Sequence, residues 1–344
     1  MKKIIFIISS LQGLGGTERV VTTLANSLSK KYNVTIISRN INGGDNAYLL
    51  DTSVNDVKTN KGNLGFLFFI KKYVTNNDPD YVVVHTMSKL TPMLLLSGVK
   101  AKKIWSMEHI SYEFHNKIYQ KLRRLLYNRL DKILVFTEDQ KKIYLEFNDN
   151  VNTVKNPCPL DIVDQAYNKN SKDIISIGRL TYQKGYDLLI ESWALIEKKN
   201  PDWYLHIYGE GEDRESLNSL INKYSLKNVH LKGQVLDVCN VYDSASFYVM
   251  SSRYEGLPMV LIEAQSRGLP LVSFDCPTGP REIVKEDING ILIPPNDIIG
   301  LSKSMESLIE SPELRSQMSI MSRRLSKQFL TTEVVNSWIN FFES

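Results

Sequence analysis

Strand-like runs alternate with helix-like runs along this chain, and the alternation begins twice. The first series contains "KIIFII", "YNVTIIS", "DYVVVHT", "KIWSME" and "KILVFT", and the second contains "IISIGRL", "WYLHIYG", "VHLKG", "FYVMSS" and "PLVSFD". Continuous apolar runs are typical of strands buried on both faces, and helical stretches between them favour a parallel sheet. The sequence therefore predicts an α/β protein with two Rossmann-like, doubly wound domains that face each other across a cleft.

The break between the two series sets the domain boundary. "NPCPL" contains two prolines and is followed by the polar stretch "NKNSKD", so regular structure should stop between residues 155 and 170. We therefore predict an N-terminal domain of residues 1–160 and a C-terminal domain of residues 161–329. The last helix, about residues 330–344, has its apolar residues on one side: Val334, Val335, Trp338, Phe341 and Phe342. This side of the helix must be buried, and the first domain is one candidate for the surface that buries it.

Composition narrows the class of protein and its compartment. A net charge of +4 over 344 residues is too mild to indicate a nucleic-acid partner, and no apolar run approaches the roughly 18 residues of a membrane-spanning helix. The N-terminal "MKKIIFIISS" resembles a signal peptide, but no small-x-small cleavage site follows, so a first strand explains it better. The three cysteines match no zinc or disulfide spacing, which indicates a reducing, cytoplasmic location.

A glycine-rich loop, "SLQGLGGTERV", follows the first strand. Gly15 and Gly16 would let the backbone approach a phosphate or a sugar at a helix N-terminus, with Thr17 placed to cap that helix. The loop lacks the last glycine of the G-x-G-x-x-G fingerprint, which argues against a nicotinamide site. The alternative is a tight turn whose glycines only supply positive φ.

Two further loops follow strands in the second half. In "SIGRLTYQKGYD", Arg179 and Lys184 lie close to a helix start, where two cations and the helix amides would hold a pyrophosphate. In "IYGEGEDRESL", Gly209 would allow a close backbone approach to a ligand. The alternatives are two exposed basic side chains and an ordinary turn.

The stretch "SSRYEGLPMVLIEA" places one glutamate in a turn and another inside the following helix. Proline is favoured in a first helical turn, so Pro258 predicts a helix start whose nearby amides bind an anion; these amides belong to Gly256, Leu257 and Met259. Glu255 would lie in the turn. Glu263, about a turn and a half further on, could bind the two vicinal hydroxyls of a ribose or be an ordinary surface glutamate.

Motifs for metals and nucleophiles are absent from the sequence. There is no H-E-x-x-H, P-loop or G-x-S-x-G, and the carboxylates of "DPD" precede their strand rather than follow it. This position does not suit a catalytic aspartate pair that holds a metal. Among the histidines, His109 in "WSMEHISYEF" is the best candidate for a cleft site, with a structural histidine as the alternative.

Residues 112–132 predict a basic amphipathic helix. Its apolar residues Ile118, Leu122, Leu125 and Leu126 share one side, and its cations are Lys117, Lys121, Arg123 and Arg124. Such a helix could meet an anionic membrane surface or a pyrophosphate-bearing acceptor. The alternative is the solvated face of an ordinary helix.

Taken together, these motifs make the chain resemble the GT-B retaining glycosyltransferases of family 4, and most closely the bacterial enzymes that extend lipid-linked saccharides. The resemblance covers nearly the whole length in the right order: "GLGGTERV", "EHIS", "IGRLTYQKG", "YGEGEDRESL", "LKGQV", "SRYEGLPMVLIEAQSRGLPLV" and "CPTGPREI". It implies a nucleotide-sugar donor, most simply a UDP-sugar, and a lipid-linked or oligosaccharide acceptor in O-antigen, capsule or exopolysaccharide synthesis. It also implies a cytoplasmic enzyme, or one peripheral on the inner face of the membrane.

The resemblance also implies residue roles. Arg179 and Lys184 would hold the donor diphosphate and stabilise the leaving nucleoside diphosphate. Glu255 and Glu263 match the family's E-x7-E pair, with Glu255 facing the donor sugar and Glu263 the ribose. His109 would bind a sugar hydroxyl or support developing positive charge. Similar enzymes need no metal, which agrees with the missing aspartate pair.

Other implied features are less complete. Gly15 and Gly16 would approach the donor phosphate and the acceptor. The stretch "CPTGP" departs from the usual glycine pair, which weakens any inference about the sugar and hints at a galactose type. Rival interpretations are a GT-B sugar-nucleotide epimerase or phosphorylase, and a non-catalytic nucleotide-sugar-binding protein.

Overall fold

A computed structural model describes residues 1–13, 15–40, 43–86, 89–163, 168–235 and 237–344. The chain forms two compact units: Met1–Pro159 together with Thr331–Ser344, and Leu160–Leu330. Two parts of the sequence predictions, Leu14 of the glycine loop and residues 164–167 of the boundary region, lie outside the described residues.

The first unit contains a parallel seven-stranded sheet with the order β3-β2-β1-β4-β5-β6-β7. Its strands are β1 (Lys3–Ile7), β2 (Asn33–Arg39), β3 (Asn55–Thr59), β4 (Tyr81–Thr86), β5 (Ile104–Glu108), β6 (Lys132–Val135) and β7 (Val151–Thr153). Its helices are α1 (Gly16–Leu28), α2 (Asn63–Asn77), α3 (Leu90–Leu96), α4 (Lys117–Leu126), α5 (Glu138–Leu145) and the final helix, α13 (Thr331–Glu343).

The helices of this unit cover both faces of its sheet. On one face, α2, α3 and α4 share a core with the sheet, to which they contribute residues such as Phe66, Leu94 and Leu126. On the other face, Trp338 and Phe342 of α13 pack against aromatic side chains of the strands. The apolar side of the last helix is therefore buried on the first unit.

The second unit contains a parallel six-stranded sheet with the order β10-β9-β8-β11-β12-β13. Its strands are β8 (Asp173–Ile177), β9 (Tyr204–Tyr208), β10 (Val229–Gly233), β11 (Phe247–Met250), β12 (Leu271–Phe274) and β13 (Gly290–Ile293). Its helices are α6 (Tyr186–Ala194), α7 (Arg214–Lys223), α8 (Val238–Ser244), α9 (Met259–Ser266), α10 (Pro280–Ile283), α11 (Ile298–Glu310) and α12 (Pro312–Ser326). The prediction of two doubly wound α/β sheets is confirmed.

Several details differ from the sequence predictions. The sequence analysis does not predict β3, β7 and β13, which lie at the edges of their sheets. Strands β3 ("NDVKT") and β7 ("VNT") contain few apolar residues, and β13 ("GILI") is apolar but only four residues long. Helix α1 begins at Gly16 with Gly15 as its N-cap, so Thr17 lies inside the first turn rather than at the cap. Within the described residues, no helix has both the length and the apolar character needed to cross a bilayer.

The predicted helix over residues 112–132 is not continuous. The chain forms a 3₁₀ turn at Tyr112–Phe114, then α4, then a second 3₁₀ turn at Tyr127–Arg129. Asn116 is the N-cap of α4, and its side chain accepts a hydrogen bond from the amide of Ile118.

Candidate functional site

Two of the predicted loops meet at the switch point of the second sheet. Strands β8 and β11 are neighbours there, although the chain makes two other strands between them. Arg179 and Lys184 follow β8, and the turn containing Glu255 follows β11. Ligands of open α/β sheets bind beyond the carboxyl ends of the strands at this kind of switch point.

Lys184 and Glu255 form an ion pair in this position. The ammonium of Lys184 lies 2.7 Å from Glu255 Oε1, and their side chains are 19% and 9% exposed. The hydroxyl of Ser252 donates to the same oxygen at 2.7 Å. One carboxylate is thus held by a cation and a hydroxyl at the edge of solvent.

Arg179 is the second cation of this region. Its side chain is exposed just beyond β8. No carboxylate of the described residues forms a salt bridge with it. Its charge is therefore available to an anionic ligand.

The turn before α9 supplies hydrogen-bond donors. Pro258 is the N-cap of α9, one residue earlier than the helical position that the sequence predicted. Within the described ranges, the amides of Gly256, Leu257 and Met259 donate to no protein acceptor. Amides at a helix N-terminus favour an anion, because the helix dipole adds to their own.

The segment "CPTGP" holds this turn in place, a role that sequence reasoning missed. The amide of Glu255 donates to the Pro277 carbonyl at 3.2 Å, and the hydroxyl of Thr278 donates to the Glu255 carbonyl at 3.1 Å. Gly279 has φ +93°, and a Cβ there would lie 2.1 Å from the carbonyl oxygen of Gly256. Only glycine fits such an approach. The glycine in "CPTGP" was the one available signal.

Gly209 lies on the loop after β9, where its close approach is to the protein's own backbone. Its φ is +143°, and a Cβ would lie 1.9 Å from the carbonyl oxygen of Gly178. Its amide donates to the Gly233 carbonyl at 2.8 Å. Gly209 therefore supports the backbone directly before Arg179.

Glu263 lies inside α9 and is buried rather than at the surface. The hydroxyl of Tyr242, from α8, donates to its Oε2 at 3.0 Å. The ordinary surface glutamate that the sequence allowed is excluded by this burial.

In the first unit, His109 follows β5 and pairs with His85, which the sequence analysis does not single out. His85 Nδ1 and His109 Nε2 are 3.0 Å apart, and both rings are buried. Burial lowers the pKa of His109 to about 4 and, together with the neighbouring His109, holds the pKa of His85 well below its usual 6.5. Both imidazoles are therefore neutral near pH 7.

Gly15 and Gly16 mark the start of α1, the N-cap and first residue respectively. The carboxylate of Glu18 folds back over the loop, since a Cβ on Gly15 would lie 2.4 Å from Glu18 Oε2. Acidic side chains are favourable in a first helical turn.

The residue before His109 anchors a buried charge network. Glu108 Oε2 accepts from Arg123 Nη2 at 3.1 Å and from the Tyr144 hydroxyl at 3.0 Å, and Oε1 accepts from the Tyr127 hydroxyl at 2.8 Å. Burial raises the pKa of Glu108, but the Arg123 charge and the hydrogen bonds outweigh it and lower that pKa to about 2. Arg123 is 0% exposed, so the prediction that it presents charge on the surface of α4 is wrong.

Comparisons with known proteins agree with this architecture. Residues 14–161 match the family model described as Glycosyltransferase Family 4, and residues 160–324 match the model described as Glycosyl transferases group 1. An uncharacterized glycosyltransferase of Haemophilus influenzae is 34% identical, and the amylovoran biosynthesis glycosyltransferase AmsD of Erwinia amylovora is 32% identical. Each of these alignments covers 98% of this chain and 99% of the relative.

A third relative and two solved structures are more distant. A Campylobacter jejuni α-1,4-N-acetyl-D-galactosaminyltransferase, named for a diNAcBac-PP-undecaprenol-linked substrate, is 26% identical over 98% of both chains. The structure of S. aureus TarM with UDP has a TM-score of 0.81 at 16% identity and covers 100% of both chains. That of Anabaena HepE with UDP and glucose has a TM-score of 0.81 at 17% identity, also over 100% of both chains.

The structural likenesses show the fold, and the sequence relatives extend over almost the entire chain. The two parallel sheets agree with the two family models, which match the first and second halves of the chain in turn. The chain belongs to the GT-B glycosyltransferases of family 4.

Proposed function

We propose that this glycosyltransferase moves a hexose or N-acetylhexosamine from a UDP-sugar to a lipid-linked saccharide, with retention of the anomeric configuration. The observation that carries the proposal is the ion pair of Lys184 and Glu255 beside the α9 amides. Cations and amides suit a diphosphate, and an adjacent carboxylate suits a sugar hydroxyl. The UDP in the TarM and HepE structures and the undecaprenol-linked substrate in the Campylobacter relative's name support the choice of donor and acceptor.

In the proposed reaction, Lys184, Arg179 and the α9 amides bind the donor diphosphate. The acceptor hydroxyl oxygen bonds to the anomeric carbon on the face from which the diphosphate departs, and the bond from that carbon to the diphosphate oxygen breaks. A diphosphate oxygen takes the proton of the acceptor hydroxyl, and UDP leaves. Stabilising the charge on this leaving group would be the largest contribution to catalysis.

The remaining site residues have supporting roles in this proposal. When Lys184 turns to the diphosphate, Glu255 is released to accept a hydrogen bond from the donor sugar. Glu263 would meet the ribose hydroxyls, with Tyr242 fixing its carboxylate. His109, neutral near pH 7, would hydrogen-bond a sugar hydroxyl rather than carry charge.

Two further parts of the proposal concern the glycine-rich loop and the need for a metal ion. Gly15 and Gly16 would present backbone to a phosphate or the acceptor. Because two cations and the α9 amides neutralise the leaving group, we expect the reaction to need no metal ion.

The test is a panel of sugar nucleotides with a lipid-linked saccharide acceptor. We expect one UDP-sugar and UDP itself to raise the melting temperature, since a ligand that binds only the folded state stabilises it. NMR of the product should show an α-linkage from an α-linked donor, with the rate unchanged by EDTA. A β-linked product would contradict retention, and conversion of the donor to its epimer without acceptor would favour an epimerase.

A further inference from the structure

The imidazole of His85, near the end of β4, is enclosed by aromatic side chains and is 1% exposed. Trp338 of α13 stacks on it with ring centroids 6.3 Å apart, and Phe6 of β1 meets it edge-on at 4.9 Å. Within the described residues, its side chain makes one hydrogen bond, of 3.0 Å, between His85 Nδ1 and His109 Nε2. Packing therefore fixes the ring and holds its Nδ1 against His109.

This hydrogen bond contains a single proton, which one of the two rings must supply. Both rings are neutral near pH 7, because burial lowers the pKa of each histidine. A neutral imidazole has one N–H and one bare nitrogen, so there are two arrangements. In the first, His85 Nδ1–H donates, which leaves His85 Nε2 bare and puts the proton of His109 on Nδ1. In the second, His109 Nε2–H donates, and the proton of His85 is on Nε2.

The surroundings of His85 Nε2 favour the first arrangement. This atom is buried and has no hydrogen-bond partner among the described residues. The indole N–H groups of Trp105 and Trp338, in the same aromatic layer, are also buried without a partner in the described part of the chain. An indole nitrogen can only donate, and buried N–H groups without an acceptor are rare in proteins. A proton on His85 Nε2 would add a third unpaired donor to this layer, whereas a bare Nε2 adds an acceptor.

We propose that His85 is a positioning residue for His109: His85 Nδ1–H donates to His109 Nε2 and thereby holds His109 as the tautomer with its proton on Nδ1. The hydrogen bond made by one ring nitrogen decides which of the two is protonated. The ring of His109 is held by two further contacts. Its backbone amide donates to the Thr86 carbonyl at 3.1 Å, and Phe136 meets its ring edge-on with centroids 5.5 Å apart.

The tautomer specifies what His109 can do to a ligand. Among the described residues, no group forms a hydrogen bond with His109 Nδ1, so its N–H is available to an oxygen acceptor such as a sugar hydroxyl. The lone pair of Nε2 is already occupied by His85. In this state His109 donates a hydrogen bond and has no free lone pair with which to take a proton from the acceptor hydroxyl. The consequence for turnover rests on the role of His109 in the proposed function.

NMR of the full-length protein with isotope-labelled histidine measures the tautomer directly. Long-range proton–nitrogen correlations distinguish protonated from bare ring nitrogens. The chain has five histidines, so the signals of His109 are those lost in His109→Gln. We expect the proton on Nδ1 in both His85 and His109. A wild-type His109 with its proton on Nε2 would overturn the proposal, whatever the activity of the enzyme.

Two variants of His85 separate its hydrogen bond from its packing. His85→Phe keeps an aromatic ring but has no N–H, so His109 should show both tautomers. Turnover should then fall about 10- to 100-fold, by analogy with the loss of partners that orient metal-bound histidines. His85→Asn, whose side-chain amide can donate in place of Nδ1–H, should keep the Nδ1 tautomer and most of the turnover. UDP binding should stay as in the wild type in both variants, because we assign it to loops of the second unit.

His230→Phe and His230→Asn, the matched changes on β10 of the second unit, should leave turnover near wild type. An unchanged His109 tautomer in His85→Phe would refute His85 as the residue that orients it. A changed tautomer with full turnover in both His85→Phe and His109→Gln would support the positioning and contradict the role of His109 in the proposed function. Circular dichroism melting shows whether each variant folds, and the wild-type spectrum tests the proposal without any variant.

Discussion

The ammonium of Lys184 has two competing anions, the carboxylate of Glu255 in this structure and the diphosphate in the proposed complex. The pair is mostly buried, with side-chain exposures of 19% and 9%, so its attraction is only weakly screened by solvent. Ser252 remains bonded to the same carboxylate and can keep it in place when Lys184 moves to a ligand. The pair therefore compensates both charges in this structure, and in the proposed complex the diphosphate would replace Glu255 as the partner of Lys184.

At this scale we predict separable effects of Lys184→Ala and Glu255→Ala. Both should lower turnover by roughly 10²–10³-fold, because each removes a group that acts on the departing or attacked part of the donor. Lys184→Ala should also weaken UDP binding, whereas Glu255→Ala should retain it, since the ammonium is then free for the diphosphate. Turnover and isothermal titration with UDP measure the two effects.

The matched control for these variants is Lys199→Ala, which removes the 70% exposed lysine of the pair with Glu306. Such a pair contributes about 0–1 kcal/mol, so turnover and UDP binding should stay near wild type. Near wild-type turnover in Lys184→Ala or Glu255→Ala would refute the assignment of these two residues to the site.

The sequence predicts which loop residues are candidates for the site, but it does not predict which residues they contact. Its position directly after a strand marks His109 as a site candidate, whereas no local feature marks His85, 24 residues earlier. The two rings meet because β4 and β5 are adjacent, with Thr86 opposite Glu108 in the register. Nothing in a local pattern specifies that adjacency.

At the scale of elements, Glu108 attaches α4 to the end of β5. Arg123 from α4, Tyr127 from the following 3₁₀ turn and Tyr144 from α5 all bond to this one carboxylate. The helical pattern of α4 marks Arg123 as one more surface cation, because the pattern contains no information about a buried acid behind the helix. The buried positive charge of Arg123 is compensated by the negative charge of Glu108, so removing either side chain leaves the other charge buried without its partner.

We predict that Arg123→Met lowers the free energy of unfolding by about 3–5 kcal/mol at pH 7, since it leaves Glu108 buried without its cation. In the wild type the pKa of Glu108 is lowered to about 2 from 4.5, so its stabilisation is present above pH 4.5 and is lost as the pH falls towards 2. The difference between variant and wild type should therefore shrink below pH 4.5. Urea unfolding at several pH values measures it.

The neighbouring Arg124→Met provides the control. Arg124 lies at the surface, and its pair with Glu146 is about half exposed on both sides, so the change should cost at most about 1 kcal/mol. If Arg123→Met and Arg124→Met were equally mild, the buried network would not be what holds α4 to the sheet.

At the scale of the whole molecule, the chain returns to its first unit after completing the second. Residues Thr331–Ser344 join Met1–Pro159, and Phe342 stacks on Trp105 with ring centroids 4.9 Å apart. The Tyr81 hydroxyl donates to the Phe342 carbonyl at 2.6 Å. Trp338 lies edge-on to Phe6 with centroids 6.1 Å apart. The first unit is therefore completed only by the last helix.

We predict that Trp338→Ala destabilises the first unit by about 3–5 kcal/mol, the usual cost of removing a large buried aromatic side chain. Amide hydrogen exchange, followed by mass spectrometry on peptides of each unit, should show faster exchange in β1, β4 and β5. Exchange in β8 and β11 should stay as in the wild type.

Asn336→Ala, on the exposed side of the same helix, should change stability by no more than about 0.5 kcal/mol. Equal acceleration of exchange in β8 and β11 by Trp338→Ala would contradict the assignment of α13 to the first unit.

Local sequence patterns are enough to predict the alternation of strands and helices, because periodicity and glycine or proline loops are properties of neighbouring residues. It also placed Arg179, Lys184 and Glu255 in loops after strands, and the motif order indicated the family. Only the folded chain shows which loops adjoin, which charges are buried and where the last helix packs. Strand order brings Glu108 to Arg123, His85 to His109 and Thr278 to the Glu255 turn. These contacts join residues on different elements, so their energies depend on a chain path that no short stretch of sequence encodes.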